Sequence, residues 1–176
     1  MDDLPRFTYH PDPIGTGAIT RSAAECPACR RTRGYAYSHT PYALGEHEDI
    51  CPWCIADGTA HTKFDATFVA ESPLENAGVP QRVVAEVTQR TPGFECWQQE
   101  RWLACCGDAC AFLGDAPADE IRSLDADGFE RLEPAAPFEF GEAPEFLSGY
   151  EPGGSPSFYK FVCRHCAGVR YGWDCD

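Results

Sequence analysis

Apolar positions along the chain come in short bursts divided by proline, glycine and small polar residues, so short elements are predicted throughout. Over residues 79–90, Val83, Val84 and Val87 recur at offsets of one, three and four, the spacing of one helical face, and Thr91-Pro92-Gly93 stops the run. A helix of three turns is predicted there, with shorter ones over residues 56–64 and 119–124. Residues 33–37, R-G-Y-A-Y, alternate aromatic and small side chains and read as a strand. Residues 158–162, F-Y-K-F-V, read as another, which turns at C-R-H-C and returns through residues 168–171, the hairpin of a zinc ribbon. The opening H-P-D-P-I-G-T-G from His10 cannot be helical. Its prolines favour extended neighbours and its glycines permit tight reversals. Pro134, Pro137, Pro144, Pro152 and Pro156, with Gly153-Gly154, predict an irregular excursion before the last strand.

Cysteine changes this picture most. Eleven occur among 176 residues, three pairs of them spaced C-x-x-C (Cys26/Cys29, Cys51/Cys54, Cys163/Cys166) and one C-x3-C (Cys106/Cys110). A disulfide within C-x-x-C closes too small a loop to stabilise much, whereas such a turn aims two thiolates at one Zn²⁺. The shortest pairing joins Cys26, Cys29, Cys51 and Cys54, with 21 residues between the pairs. The second joins Cys106, Cys110, Cys163 and Cys166 across 52 residues, leaving Cys96, Cys105 and Cys175 over, with Cys105 adjacent to a proposed ligand and able to compete for its place. Four thiolates close a tetrahedral site to water and substrate, so two structural zinc ions are the expected cofactors, with iron–sulfur ligation the alternative use of the same sulfurs. The predicted fold is a small metal-stabilised α+β protein. It has two zinc-ribbon or knuckle-like lobes, residues 1–68 and 106–176, joined by a helical, tryptophan-rich segment at 69–105.

Charge narrows the partners. With 28 acidic and 14 basic side chains the net charge is −14, and residues 107–157 hold twelve of the acids against Arg122 and Arg131. Such a chain repels nucleic-acid backbones and anionic membranes and favours a basic protein, such as a toxin domain, as partner. No segment reads as a membrane span, and M-D-D-L-P-R-F lacks the basic start and apolar centre of a signal peptide, so a cytoplasmic protein is expected. His10, Asp12, Trp97, Gln98, Gln99 and Glu100 are candidate binding residues. A hydrolytic site built from His10, Asp12, His61 and Asp65 is the enzymatic alternative, although no H-E-x-x-H, G-x-S-x-G or P-loop pattern supports it. A zinc-ribbon regulator of transcription or repair proteins is a third reading. No residue is assigned a catalytic role.

Several strings are specific enough to suggest a family: L-P-R-F-T-Y-H-P-D-P from Leu4, C-P-W-C-I-A-D-G from Cys51, K-F-D-A from Lys63, R-T-P-G-F-x-x-W-Q-Q-E from Arg90, W-L-x-x-C-G-D-A-C-A-F-L-G from Trp102 and F-V-C-R-H-C from Phe161. Across nearly the whole chain these resemble the CbrC family, bacterial proteins named for a colicin-tolerance member. The resemblance implies a small cytosolic protein associated with tolerance to a DNA-cleaving colicin, and implies no active site. It places a histidine where this chain has Cys105, which favours Cys106 as the ligand.

Overall fold

A computed structural model describes residues 3–134 and 143–176. Its first elements are the hairpin partners β1 (Ile19–Arg21) and β2 (Tyr35–Tyr37), followed by α1 (Pro52–Ala56), α2 (Thr59–Phe64), α3 (Ser72–Asn76) and α4 (Gln81–Arg90). A small hairpin, β3 (Ala104–Cys105) with β4 (Asp108–Ala109), leads into β5 (Ala111–Asp115). Three short helices follow, α5 (Ala118–Arg122), α6 (Ala126–Glu130) and α7 (Ala143–Ser148), and the chain closes with β6 (Ser157–Val162) and β7 (Val169–Asp174). Strands β5, β6 and β7 make one antiparallel sheet in that order. This is a small α+β protein with short antiparallel strands and few helices. No helix among the described residues is long and apolar enough to cross a membrane.

The expected elements appear with shifted ends. Apolar spacing places α4, and Val83, Val84 and Val87 are its buried face. The helix expected over residues 56–64 is α2 and starts three residues later, at Thr59, because Gly58 takes a left-handed conformation (φ 78°) that separates it from α1. Past α5 the chain forms α6, which Asp125 caps by accepting from the Gly128 N–H at 2.8 Å, and the excursion expected to be irregular carries α7. Pro137 and its immediate neighbours lie outside the described residues.

Strand β6 runs down the middle of the sheet, and its alternation divides the interior. Tyr159 and Phe161 face a core with Phe94, Trp102 and Phe112, whose rings pack at centroid distances of 4.3 to 6.1 Å. Phe158 faces a second core with Ile121, Phe129 and Leu147 from α5, α6 and α7 and with Tyr150 just past α7. Here Glu120 accepts from Lys160 Nζ at 2.6 Å and from the Tyr171 hydroxyl at 2.7 Å, tying α5 to the sheet. A third core, of Phe7, Ile19, Tyr37, Ile50, Ile55 and Phe68, wraps the first cysteine group. Gly93 lets two cores approach: a β-carbon there would lie 2.1 Å from the Phe68 carbonyl oxygen.

The N-terminal segment reaches across to the sheet. Phe112 N–H donates to the Tyr9 carbonyl at 2.8 Å, and His10 is sealed beside Phe112 and Trp102 with no exposed surface. Its Nδ1 faces the Pro92 carbonyl at 2.9 Å, which can only accept, so Nδ1 carries the proton and Nε2 accepts from the Thr16 hydroxyl at 2.7 Å. Burial pulls the imidazole down to about 4, against the smaller upward pulls of the Pro92 carbonyl and Asp12. The unfolded chain therefore takes up a proton near the ordinary histidine value, 6.5, that the folded chain refuses until about 4. Stability from this residue is complete above that upper value and is lost as pH falls through the window between them. Urea denaturation should show wild type losing about 2 kcal/mol more than His10→Phe between about pH 7 and about pH 5. Equal losses would contradict a buried neutral imidazole.

Candidate metal centres

The first group is built from one knuckle and one helix start. In C-P-A-C-R, the Arg30 N–H donates to the Cys26 carbonyl at 2.8 Å while Arg30 takes a left-handed conformation (φ 59°), folding the turn so that both sulfurs point one way. Opposite it, Cys51 caps α1 and Cys54 lies one turn in, with Pro52 starting the helix where its missing N–H costs nothing. The sulfurs of Cys26, Cys29, Cys51 and Cys54 all lie within 4.8 Å of one another. Three of these residues are buried and Cys29 is half-buried.

The second group repeats the knuckle. In C-R-H-C-A, the Ala167 N–H donates to the Cys163 carbonyl at 3.0 Å and Ala167 has φ 57°. Its partners are Cys105 and Cys106, and the four sulfurs again lie within 4.8 Å. Cys110, expected here from the C-x3-C spacing, is elsewhere. The turn explains the difference: Cys106 and Gly107 both have positive φ (54° and 72°), the tight two-residue hairpin that pairs Cys105 with Asp108. The returning strand carries Cys110 level with Leu103, to whose carbonyl its N–H donates at 2.9 Å. There it is fully buried in the aromatic core, its carbonyl accepting from the Trp102 indole at 2.9 Å, and burial pushes its thiol up to about 12. The C-C-G-D string, with glycine as the second turn residue, was the signal for this hairpin.

Distances within each group suit a four-coordinate ion. Cys29 to Cys51, Cys105 to Cys106 and Cys105 to Cys166 are each 3.8 Å. A tetrahedron with Zn–S bonds of about 2.3 Å has edges of about 3.8 Å, whereas a disulfide needs about 2.05 Å. None of the eleven cysteines forms a disulfide. Polar hydrogens aim at the sulfurs as they do at thiolates. Cys51 N–H donates to Cys26 at 3.3 Å, and the N–H groups of His165 and Cys166 donate to Cys163 at 3.4 and 3.5 Å. These last two pull the Cys163 thiol down to about 6. Both groups could therefore hold ions such as zinc, which would lock each set of thiolates in place and supply no open coordination position.

Asp108 supports the second group from behind. Its carboxylate accepts from Tyr9 Oη at 2.8 Å, His165 Nε2 at 2.7 Å, Arg164 Nη1 at 3.0 Å and its neighbour Ala109 N–H at 2.9 Å. Burial raises this carboxyl, yet the bonds from His165, Tyr9 and Ala109 with the charge of Arg164 together hold it below the usual range. One side chain thus joins hairpin, knuckle and N-terminal segment. Arg170 also reaches Cys105 Sγ at 3.6 Å.

The candidate binding residues divide. Asp12 and Trp97 line one cavity of about 560 Å³, next to the buried His10. Gln98 is tied to the Cys175 carbonyl at 3.0 Å and Glu100 to the Tyr42 hydroxyl at 2.6 Å, while Gln99 is exposed. His61 bonds the Ala66 carbonyl at 3.1 Å, on a different element from His10, and Asp65 beside it is exposed.

Comparison with known proteins agrees with this arrangement in extent. The model of the uncharacterised protein family UPF0167 matches residues 4–175, from before the first knuckle to past the last. The chain belongs to the UPF0167 family. UPF0167 protein PA1536 of Pseudomonas aeruginosa is 45% identical over 173 residues, 97% of each chain. UPF0167 protein Mb2317 of Mycobacterium bovis and UPF0167 protein MT2352 of Mycobacterium tuberculosis are each 43% identical over 166 residues, 93% of this chain and 89% of theirs. No solved structure matches.

The sulfur geometry yields a direct test within this UPF0167 chain. Cys105→Ala should reduce bound zinc, measured by elemental analysis, from two ions per chain to one, whereas Cys110→Ala should retain two and lose only core stability. The reverse result would restore Cys110 as the ligand.

Proposed function

We propose that this protein is a non-enzymatic, zinc-stabilised binding protein that acts by contact with a basic protein partner. The observation that carries the reading is the four-sulfur geometry of both groups. Two structural zinc ions, each saturated by four thiolates, hold the fold and leave no position for substrate, so the working part is the surface. That surface belongs to a chain of net charge −14. Electrostatic attraction of this size speeds encounter with a positive partner and rejects polyanions. The resemblance to the CbrC family supplies the context: tolerance or immunity in the cytoplasm toward a colicin-type nuclease, whose basic DNA-binding face an anionic protein would cover.

Fluorescence anisotropy with a labelled colicin-type nuclease domain tests this. Zinc-loaded protein should bind it, with Kd rising about tenfold or more from about 50 to about 200 mM salt. Binding indifferent to salt, or none at low salt, would contradict the reading.

A further inference from the structure

We infer that the cavity between the residue 12–16 turn, the residue 94–97 segment and the sheet is a receptor for a cationic side chain, arginine or lysine, of the basic partner. The inference rests on the partner reading above and gives the contact a place. At about 560 Å³ the cavity is within the size of ordinary ligand sites and admits a long side chain with its head group.

Its lining sets the chemistry of the occupant. Asp12, Glu95 and Asp115 bring three carboxylates to the walls, and the lining contains no lysine, arginine or histidine. Aromatic faces of Phe94 and Tyr159 supply the apolar part. An anion would be repelled by this lining, and a wholly apolar molecule would strip water from carboxylates without replacing it. A guanidinium or ammonium on an aliphatic stem satisfies both halves.

Trp97 is an independent observation at the same place. Its indole is 52% exposed, yet its Nε1–H is held by the Gly154 carbonyl and the Ser157 hydroxyl, both at 3.1 Å, and its backbone N–H donates to Asp174 at 2.9 Å. Fixing a large side chain that remains half in water costs conformational freedom and returns little burial. A partner that stacks a cation on the ring finds that cost already met. Asp115 agrees in sign: partial withdrawal from water, then the charges of Glu95 and Asp174, hold its carboxyl above the usual range despite the Gly153 N–H. A cation there offsets the repulsion among these carboxylates.

The test uses the full zinc-loaded chain and a fluorescein-labelled peptide of three arginines spaced by glycine and serine, read by anisotropy. Trp97→Ala and Asp115→Asn should each weaken binding about tenfold with zinc content unchanged. Glu75→Gln removes one negative charge on α3, outside the cavity, and should weaken it less than about twofold. Equal losses in Asp115→Asn and Glu75→Gln, or no peptide binding by wild type, would overturn the cavity assignment. A nuclease domain bound equally by wild type and Trp97→Ala would also overturn it while leaving the partner reading intact. Free spermidine bound in a Trp97-dependent manner, with no peptide binding, would give the cavity to a soluble polyamine and overturn the side-chain assignment.

Discussion

Two groups of four cysteine sulfurs, each drawn from stretches far apart in sequence and each able to hold a metal ion, are the constraint around which this fold is arranged. Six of the seven described helices have five or six residues and four of the seven strands have two or three, lengths at which neither element persists alone in water. The first group fastens residues 26–29 to residues 51–54, and the second fastens residues 105–106 to residues 163–166. An ion bound at each group would close the loops that the short elements otherwise leave to conformational entropy.

The second group is also connected to the cavity beside the sheet. Asp108 carries the second group's geometry to Tyr9, and Tyr9 and His10 dock the opening segment on β5. The turn that follows, with Asp12 held against the Gly15 N–H at 2.9 Å, becomes one wall of the cavity that β5 and the Trp97 segment complete. Sulfur group, buried hydrogen bond and surface recess therefore form one connected path. The two groups differ along it: the first is wrapped in its own core, whereas Cys106 and Cys166 of the second are exposed.

Much of this was legible in the chain. Val83, Val84 and Val87 announced α4 because one helical face is buried, and F-Y-K-F-V announced β6 because both faces of a central strand are. Three C-x-x-C pairs announced their own partners, since each turn is local. What escaped was set by tertiary context or by a shorter turn than the spacing suggested. The regular C-x3-C interval concealed a hairpin at Cys106-Gly107 that turns the chain early and sends Cys110 into the core. His10 reads as a candidate binding residue in the proline-rich opening, and only the arrival of Pro92, Trp102 and Phe112 from distant positions buries it. The pairing of Asp12 with Trp97 in one cavity likewise exists only after the sheet has formed.

Zinc K-edge X-ray absorption of the purified, zinc-loaded protein bears most directly on the central claim. Two saturated thiolate centres predict a shell of four sulfurs per zinc at about 2.3 Å with no nitrogen or oxygen neighbour. A fitted shell with fewer sulfurs and a light-atom ligand near about 2.0 Å would show an open or mixed site, and the account of a closed scaffold with a working surface would fail.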